Sequence, residues 1–293
     1  MENKINHTPQ KKLLAIILAA LLVVSMALAG CGSSPKPADT SSTTTKNPAM
    51  ANVVAGDGET LTVGTDATFA PMESLDASNN FVGFDIAFMN AVTQKMGVKI
   101  KFVNIPWDTL LAAVQTGDGQ CDCAASAMTI LPERQKNMLF SDPYFVSVQA
   151  LAVPQGSSIK SIDDLKSGDK VAVQNGTTGH DYAKNNLAKK GIVVKPYQGG
   201  QDCFVAMAAG EVNAVVIDGP VAGNYTKQAN YKALNLGAIQ GADTENFGIS
   251  FPKSSTQLCD AVNAAIKQVI DDGTYTQIYK QYIDDKNPPV MPQ

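Results

Sequence analysis

The chain has 293 residues, of which 44% are hydrophobic, and a formal charge of −4. Residues 1–30 hold three of its 23 basic and one of its 27 acidic residues, so the remainder carries a charge of −6. This acidity argues against a nucleic-acid partner, which favours a basic face. His180 is the single histidine beyond residue 30, which argues against a histidine-rich metal site. No bound metal is therefore expected.

The first thirty residues read as a targeting signal. Lys4, Lys11 and Lys12 precede an apolar run over residues 13–29, and the sequence LAGC at 28–31 closes it. A basic start, a short apolar core and small closing residues predict a secretory signal rather than a membrane span. The LAGC junction resembles a bacterial lipobox, which implies that Cys31 receives lipid and becomes the N-terminus. The alternative is an ordinary signal with a chance cysteine at the cleavage point.

Residues 31–58 are rich in Ser, Thr, Pro and Gly and contain few large apolar side chains. Such a segment cannot bury enough surface to offset the entropy lost on ordering. It is predicted to be a flexible tether between the lipid and a folded body. The body is therefore expected outside the cytoplasm, anchored to the cell membrane through Cys31. The roughly 235 residues that follow could form one large domain or two of ordinary size.

From residue 59 to about 146, β-rich runs alternate with amphipathic helical patterns. A strand before Asp66 is followed by a helix ending at Gly97, a second strand and helix, and a third strand over residues 121–129. Alternation of this kind predicts an α/β fold with parallel strands. Ligands of open α/β sheets collect at the carboxyl ends of strands. Those ends carry Asp66, Phe69 and Trp107, then the segment 126–129 and Arg134.

Arg134 is the only arginine of the chain. Thr129, Pro132 and Glu133 resemble a helix entry, with a hydroxyl cap, a proline and an acid in the first turn. A guanidinium close to the free N–H groups of that turn could bind a carboxylate through two parallel hydrogen bonds. The alternative for an isolated arginine is a surface salt bridge.

The second half repeats the alternation from about residue 147. Strand patterns precede a capped short helix near 161–164, a Gly-Thr-Thr turn at 176–178 and Asp218. The stretch ENFGISFP at 245–252 is predicted to form one strand, and the chain ends in one long amphipathic helix or two. The turn lacks the lysine and spacing of a nucleotide-binding P-loop. Taken alone, Asp218 could be a turn former, and Phe69 and Trp107 could be core residues.

Four cysteines follow Cys31, namely Cys121, Cys123, Cys203 and Cys259. Cys121 and Cys123 share a face of a predicted strand. A Cys-x-Cys pair with two scattered partners is a weak metal signature. Small buried core residues are the preferred interpretation, with a disulfide or a metal site as the alternatives.

A family resemblance rests on seven stretches that occur in order between about residues 60 and 283. They are GTDATFAPMES, FVGFDI, PWDTLLAAV, MTILPERQKNMLFSDPYF, VAVQNGTTG, VNAVVIDGPVA and DDGTYTQIYKQY. They resemble the extracytoplasmic amino-acid-binding proteins of polar amino acid ABC transporters. The resemblance implies a type II periplasmic-binding-protein fold, in which two hinge strands join two α/β lobes around a ligand cleft. Lobe 1 would comprise 59–146 plus 243–293, and lobe 2 would comprise 147–242.

The same resemblance implies how the ligand's two backbone charges are bound. Arg134, Thr129 and the backbone N–H groups of Thr177 and Thr178 would bind the α-carboxylate. Asp218 would bind the α-ammonium.

Near the ammonium the resemblance places Ser126 and the carbonyl of Ala127. Ala125 and Ala127 depart from the family, since many relatives carry Gly or Ser there, so only backbone contacts are expected from these two positions. The resemblance also implies that Phe69 and Trp107 flank the ligand side chain and that Asp66 contributes from the first loop. Gln174 and Asn175 reach toward that side chain from lobe 2.

The implied function is that of a lipid-anchored, monomeric binding protein. It needs no cofactor, captures a polar amino acid and delivers it to the membrane permease of an ABC importer. An enzyme on the same fold, such as a cyclohexadienyl dehydratase, is the alternative from another class, and a sensory binding protein is a third. The dehydratase would need a proton donor; Glu73 and Asp85 are candidates, but their sequence context indicates no raised pKa. Glutamate and aspartate should bind poorly near Asp66, Asp85 and Asp218, which leaves arginine, lysine, histidine and glutamine.

Overall fold

The computed structural model describes residues 60–287 and 289–292, so the predicted signal, Cys31 and the tether lie outside the described residues. The strands are β1 (Thr60–Thr65), β2 (Thr68–Phe69), β3 (Glu73–Leu75), β4 (Phe81–Val82), β5 (Lys99–Asn104), β6 (Cys123–Ala124), β7 (Met138–Phe140), β8 (Phe145–Pro154), β9 (Lys170–Gln174), β10 (Val193–Tyr197), β11 (Ala214–Asp218), β12 (Ala233–Ala238), β13 (Thr244–Phe247) and β14 (Ser250–Pro252). The helices are α1 (Phe84–Met96), α2 (Trp107–Thr116), α3 (Pro132–Gln135), α4 (Thr178–Tyr182), α5 (Gly200–Ala208), α6 (Gly219–Thr226), α7 (Thr256–Asp271) and α8 (Thr274–Tyr282). Short 3₁₀ or π-helical turns cover Ile162–Asp164, Ala183–Leu187, Ala188–Lys190 and Ala229–Tyr231.

The first lobe is built on a five-stranded sheet with the order β5-β1-β6-β14-β7. β1 pairs in parallel with β5 and β6, while β14 returns antiparallel between β6 and β7. The predicted helix after β4 is confirmed as α1, which ends at Gly97 in the left-handed conformation, with φ 71°. Glycine adopts that conformation without the steric cost of a Cβ atom. Parallel strands joined by helices place several loop ends at one edge of this sheet.

The second lobe is built on a sheet with the order β10-β9-β11-β8-β12. β9, β10 and β11 are parallel to one another, and β8 runs antiparallel to both of its neighbours, β11 and β12. β13 also pairs antiparallel with β8, from Phe145↔Phe247 to Val148↔Thr244. The chain leaves the first sheet through β8 and returns to it through β13, so these are the two connecting strands that the sequence predicted. The residue limits assigned to the lobes stay a prediction.

Stacked aromatic rings hold the first lobe together. Phe84, Phe88, Tyr144 and Tyr275 are fully or almost fully buried and make stacked or edge-to-face contacts with one another. The Tyr275 hydroxyl also donates to the Tyr144 carbonyl at 2.7 Å. Such rings contribute more than their buried area alone, so α8 is fixed against the core of the lobe.

Three local predictions differ from the structure. The strand predicted over 121–129 forms only as β6, because the chain then turns through Ala127 at a positive φ of 45°. Helix α3 is capped by Leu131 rather than Thr129, and the Thr129 hydroxyl donates to Glu245 instead. The stretch ENFGISFP forms two strands, β13 and β14, rather than one.

The four described cysteines are all buried and free, which confirms the preferred interpretation of core residues. Burial raises the pKa of the Cys121 and Cys259 thiols to about 11 in each case, so both stay protonated near neutral pH. Within residues 60–287 and 289–292, no helix is both long enough and apolar enough to cross a membrane.

Candidate ligand-binding site

One cavity lies between the two lobes and contains about 310 Å³ of empty space. We call it the cleft cavity, and its walls are Asp66, Phe69, Glu73, Trp107, Ser126, Ala127, Thr129, Arg134, Gln174, Thr177, Thr178 and Asp218. The ten residues that the sequence proposed as ligand-binding all line it, and so does Gln174, which the sequence placed near the ligand side chain, whereas Asn175 does not. Glu73 completes the wall. The loops at the carboxyl ends of β1, β6, β9 and β11 supply most of these residues, as expected for an open α/β sheet.

Arg134 is 9% exposed and donates hydrogen bonds to residues of both lobes. Its Nη1 donates to the Thr129 carbonyl at 2.9 Å, and its Nη2 makes a longer bond of 3.4 Å to the Gly176 carbonyl. The guanidinium carbon lies 5.4 Å from the Trp107 ring centroid, within cation–π range. Burial lowers the pKa of Arg134, but an arginine this basic remains charged. The cleft therefore contains a fixed cation.

Glu245 on β13 bonds two threonines of the cavity wall and was not recognised from the sequence. Its carboxylate accepts from the hydroxyls of Thr129 at 2.6 Å and Thr178 at 2.8 Å, and from Gln149 Nε2 at 3.0 Å. The two threonine hydroxyl protons are thus engaged by Glu245 in this structure. A lone acid in a β-strand gave no signal of this role, because its partners come from separate segments.

Asp218 is the buried anion of the second lobe, at the end of β11 and the start of α6. Its Oδ1 accepts from the Ser147 hydroxyl at 2.8 Å. Burial, followed by the nearby charge of Glu245, raises the pKa of Asp218 to about 7. An acid whose charge is so poorly compensated favours a cationic partner.

Asp66 connects the two lobes across the cleft. Its Oδ2 accepts from Gln174 Nε2 at 2.7 Å, and its Oδ1 accepts from the Thr68 hydroxyl at 3.0 Å. Burial raises the pKa of Asp66 to about 6, although these hydrogen bonds lower it in part. Asn175 forms a second bridge, in which its Nδ2 donates to Asp108 Oδ2 at 3.0 Å.

Phe69 and Trp107 are each 6% exposed and line the cavity rather than the interior of one lobe alone. Trp107 Nε1 donates to the Gly176 carbonyl at 3.1 Å, which ties α2 to the second lobe. A Cβ atom at Gly200 would lie 2.7 Å from Phe69 Cδ2, so only glycine allows α5 to approach this ring so closely.

Glu73 and Asp85 differ from the sequence expectation in two respects. Asp85 does not line the cleft cavity; it is buried behind Ala127, whose N–H it accepts at 2.8 Å. Glu73 lines the cavity instead. Burial raises the pKa of both carboxyl groups, so the expectation of no raised pKa is wrong. The sequence could not reveal this, because desolvation depends on how the chain packs around each group.

Comparisons with known proteins identify the family. The model of the bacterial extracellular solute-binding proteins, family 3, matches residues 61–285. The chain belongs to this family. A probable histidine-binding protein of Neisseria gonorrhoeae is 34% identical over 91% of this chain and 94% of its own length. The lysine/arginine/ornithine-binding periplasmic protein of Escherichia coli K12 is 31% identical over 77% of this chain and 88% of its own.

Among solved structures, the arginine-, lysine-, histidine-binding protein ArtJ of Geobacillus stearothermophilus is 37% identical, with a TM-score of 0.71. The alignment covers 78% of this chain and 97% of that one. The predicted type II periplasmic-binding-protein fold is thereby confirmed. This solute-binding protein is similar to proteins named for binding amino acids rather than for catalysis.

Proposed function

We propose that this solute-binding protein captures a basic or neutral polar amino acid between its lobes and delivers it, as a monomer, to the permease of an ABC importer. The main support for this proposal is that one buried cation, Arg134, and one buried anion, Asp218, face the same cavity. An α-amino acid presents the two opposite charges together. Each protein charge is costly when buried alone and is compensated when the ligand binds.

The charges around the rest of the cavity select the ligand side chain. Asp66 lines the wall together with Phe69 and Trp107, and Arg134 is the only basic residue among the wall residues. An acidic side chain would meet net repulsion there, whereas a cation would gain Coulomb and cation–π attraction. The relatives named for histidine, lysine or arginine binding support the same choice. Arginine, lysine and histidine are therefore proposed first, and glutamine next.

A thermal-shift panel of the twenty amino acids tests this choice. A ligand present at about 100 times its Kd should add roughly 2.7 kcal/mol to the free energy of unfolding. We expect the largest shift from a basic amino acid or glutamine. The largest shift from glutamate or aspartate would contradict the placement of the acidic wall.

The contacts across the cleft supply the means of capture. Trp107 to Gly176, Gln174 to Asp66 and Asn175 to Asp108 all join residues of opposite lobes. A ligand that binds both Arg134 and Asp218 interacts more strongly with the closed form than with the open form. That differential affinity shifts the population toward closure.

We also propose that lipid on Cys31 anchors the protein to the outer side of the cell membrane, through the tether over residues 31–58. The support is the LAGC junction at residues 28–31. Cys31→Ser should abolish lipidation, since it removes the thiol that would carry the lipid. Metabolic labelling with a fatty-acid analogue checks this, with Cys259→Ser as the matched control. Equal labelling of Cys31→Ser and the unaltered chain would rule out the anchor.

A further inference from the structure

Two acidic side chains of lobe 1 lie beneath the cleft cavity with no exposed surface. Glu73 comes from β3 and Asp85 from the first turn of α1, and both are 0% exposed. The groups that act most strongly on them are other acids and neutral donors rather than a cation. Two ionised carboxylates in such a place would carry a large desolvation cost and would repel each other.

The hydrogen bonds of the pair leave one oxygen of each residue without a conventional donor. Glu73 Oε1 accepts from the Ser126 hydroxyl at 2.9 Å. Asp85 Oδ2 accepts from the Ala127 N–H and from the Tyr144 hydroxyl, both at 2.8 Å. Glu73 Oε2 and Asp85 Oδ1 are buried and receive no donor of this kind.

The two carboxyl groups nevertheless adjoin each other, because they bond the consecutive residues Ser126 and Ala127, and a hydrogen bond between them contributes to the pKa shift of each. A hydrogen bond between two carboxyl groups requires a proton on one of them. We propose that Glu73 and Asp85 share a single proton, held by Glu73 and donated to Asp85, and that this pair positions Ser126 and Ala127 in the ligand site. The positioning role of the pair in the ligand site rests on the proposed function.

The proton belongs on Glu73 because Asp85 is better solvated by donors. Asp85 receives an N–H and an O–H bond, whereas Glu73 receives one O–H bond. Bonds donated to a carboxylate stabilise its charged form. Burial first, and the neighbouring Asp85 second, raise the pKa of Glu73 well above its ordinary value.

Glu73 and Asp85 hold Ser126 and Ala127 in place through hydrogen bonds. Ala127 has a positive φ of 45°, which is unfavourable for a residue with a Cβ atom, and its N–H is fixed by Asp85. The Ser126 hydroxyl is held between Glu73 and the Asp66 N–H, from which it accepts at 3.0 Å. Loss of the shared proton would place two charges at bonding distance beneath this segment.

The other titratable groups around the pair supply no positive charge: Asp66 adds a negative one, and the three tyrosines are neutral. They are Asp66 at the end of β1, Tyr144 before β8, Tyr225 on α6 and Tyr275 on α8. Because the pKa of Glu73 is raised on folding, its stabilising effect is complete at low pH. The effect is lost as pH rises from about 4.5 through the raised value.

Carbon NMR of the full chain, labelled only at the glutamate carboxyl carbon, tests the proton directly. The chain has six glutamates, and loss of one resonance in Glu73→Gln assigns the signal. The exposed Glu211→Gln serves as the matched control and should leave that resonance in place. We expect the Glu73 signal of a carboxylic acid at pH 7. The signal of a carboxylate at pH 7 would overturn the shared proton, whatever the protein binds.

Calorimetric titration with L-arginine and L-glutamine tests the positioning role. The amide of Glu73→Gln can still accept from Ser126 and donate to Asp85, so we expect a Kd within about threefold of the unaltered chain at pH 7. Glu73→Ala leaves both partners unpaired and should weaken binding at least about tenfold. Both proteins should bind more weakly once the ligand's ammonium is lost at high pH, but the weakening should be larger in the unaltered chain than in Glu73→Gln.

Equal weakening by Gln and Ala, or no weakening by Ala, would overturn the positioning role. If Glu73→Ala fails to fold, the pH profile of Glu73→Gln decides: a high-pH loss equal to that of the unaltered chain counts against the pair. If the unaltered chain binds none of the twenty amino acids, the proposed function fails, and the positioning role fails with it. The NMR result on the proton still stands in that case.

Discussion

Arg134→Ala is expected to weaken amino-acid binding by more than about 2 kcal/mol, because the ligand carboxylate would enter the cleft without a charged partner. The guanidinium also bonds the carbonyls of Thr129 and Gly176 and lies over Trp107, so its loss removes contacts to both lobes. Arg134→Lys should recover part of the affinity, since an ammonium supplies the charge but not the planar pair of donors.

Titration calorimetry measures the three affinities. Lys136→Ala, an exposed cation next to the same helix turn, is the matched control and should bind as the unaltered chain does. Thermal unfolding without ligand shows whether each variant is folded. Near-unaltered binding by folded Arg134→Ala would remove this residue from the site.

Asp218→Asn is expected to move ligand affinity and stability in opposite directions. The amide oxygen can still accept from Ser147, but it offers no charge to an α-ammonium, so affinity should fall by about 2 kcal/mol or more. In the absence of ligand, the pKa of Asp218 is raised to about 7 by burial and by Glu245, which means that its ionisation opposes folding. At pH 8 the asparagine variant should therefore be more stable, by up to ~4 kcal/mol.

The raised pKa of Asp218 also predicts how the stability of the protein changes with pH. The unaltered chain should lose stability as pH rises from about 4 to about 7, because over that range the unfolded chain has given up the proton of Asp218 while the native protein still holds it. Asp218→Asn should lack that part of the loss. Denaturant unfolding at several pH values checks this, and the exposed Asp285→Asn is the control. A destabilised Asp218→Asn at pH 8 would contradict the account of this group.

The sequence allowed the walls of the cavity to be predicted because two signals agreed. Loops at the carboxyl ends of strands meet at one edge of a sheet, and the stretches that resemble the family supply Asp66, Arg134 and Asp218 at those ends. Binding roles for the ten residues remain proposals. Their common placement around one cavity is observed.

The features of the site that could not be predicted from the sequence arise from contacts between segments that lie far apart in the chain. Glu245 bonds Thr129 and Thr178, which are 116 and 67 residues away. That contact holds the Thr129 side chain against Glu245 rather than at the start of α3, where its oxygen would have to accept a backbone N–H. The raised pKa of Glu73 likewise arises from burial, which is a property of the folded chain.

The central claim is that the cleft recognises both backbone charges of one amino acid. The most direct measurement is calorimetric titration with the amino acid that gives the largest thermal shift, with its α-methyl ester and with its α-hydroxy analogue. The ester removes the carboxylate charge opposite Arg134, and the hydroxy acid removes the ammonium opposite Asp218. We expect each analogue to bind at least about thirtyfold more weakly, in line with the loss of one partner of a buried charge pair. If either analogue binds as tightly as the amino acid itself, the claim is wrong.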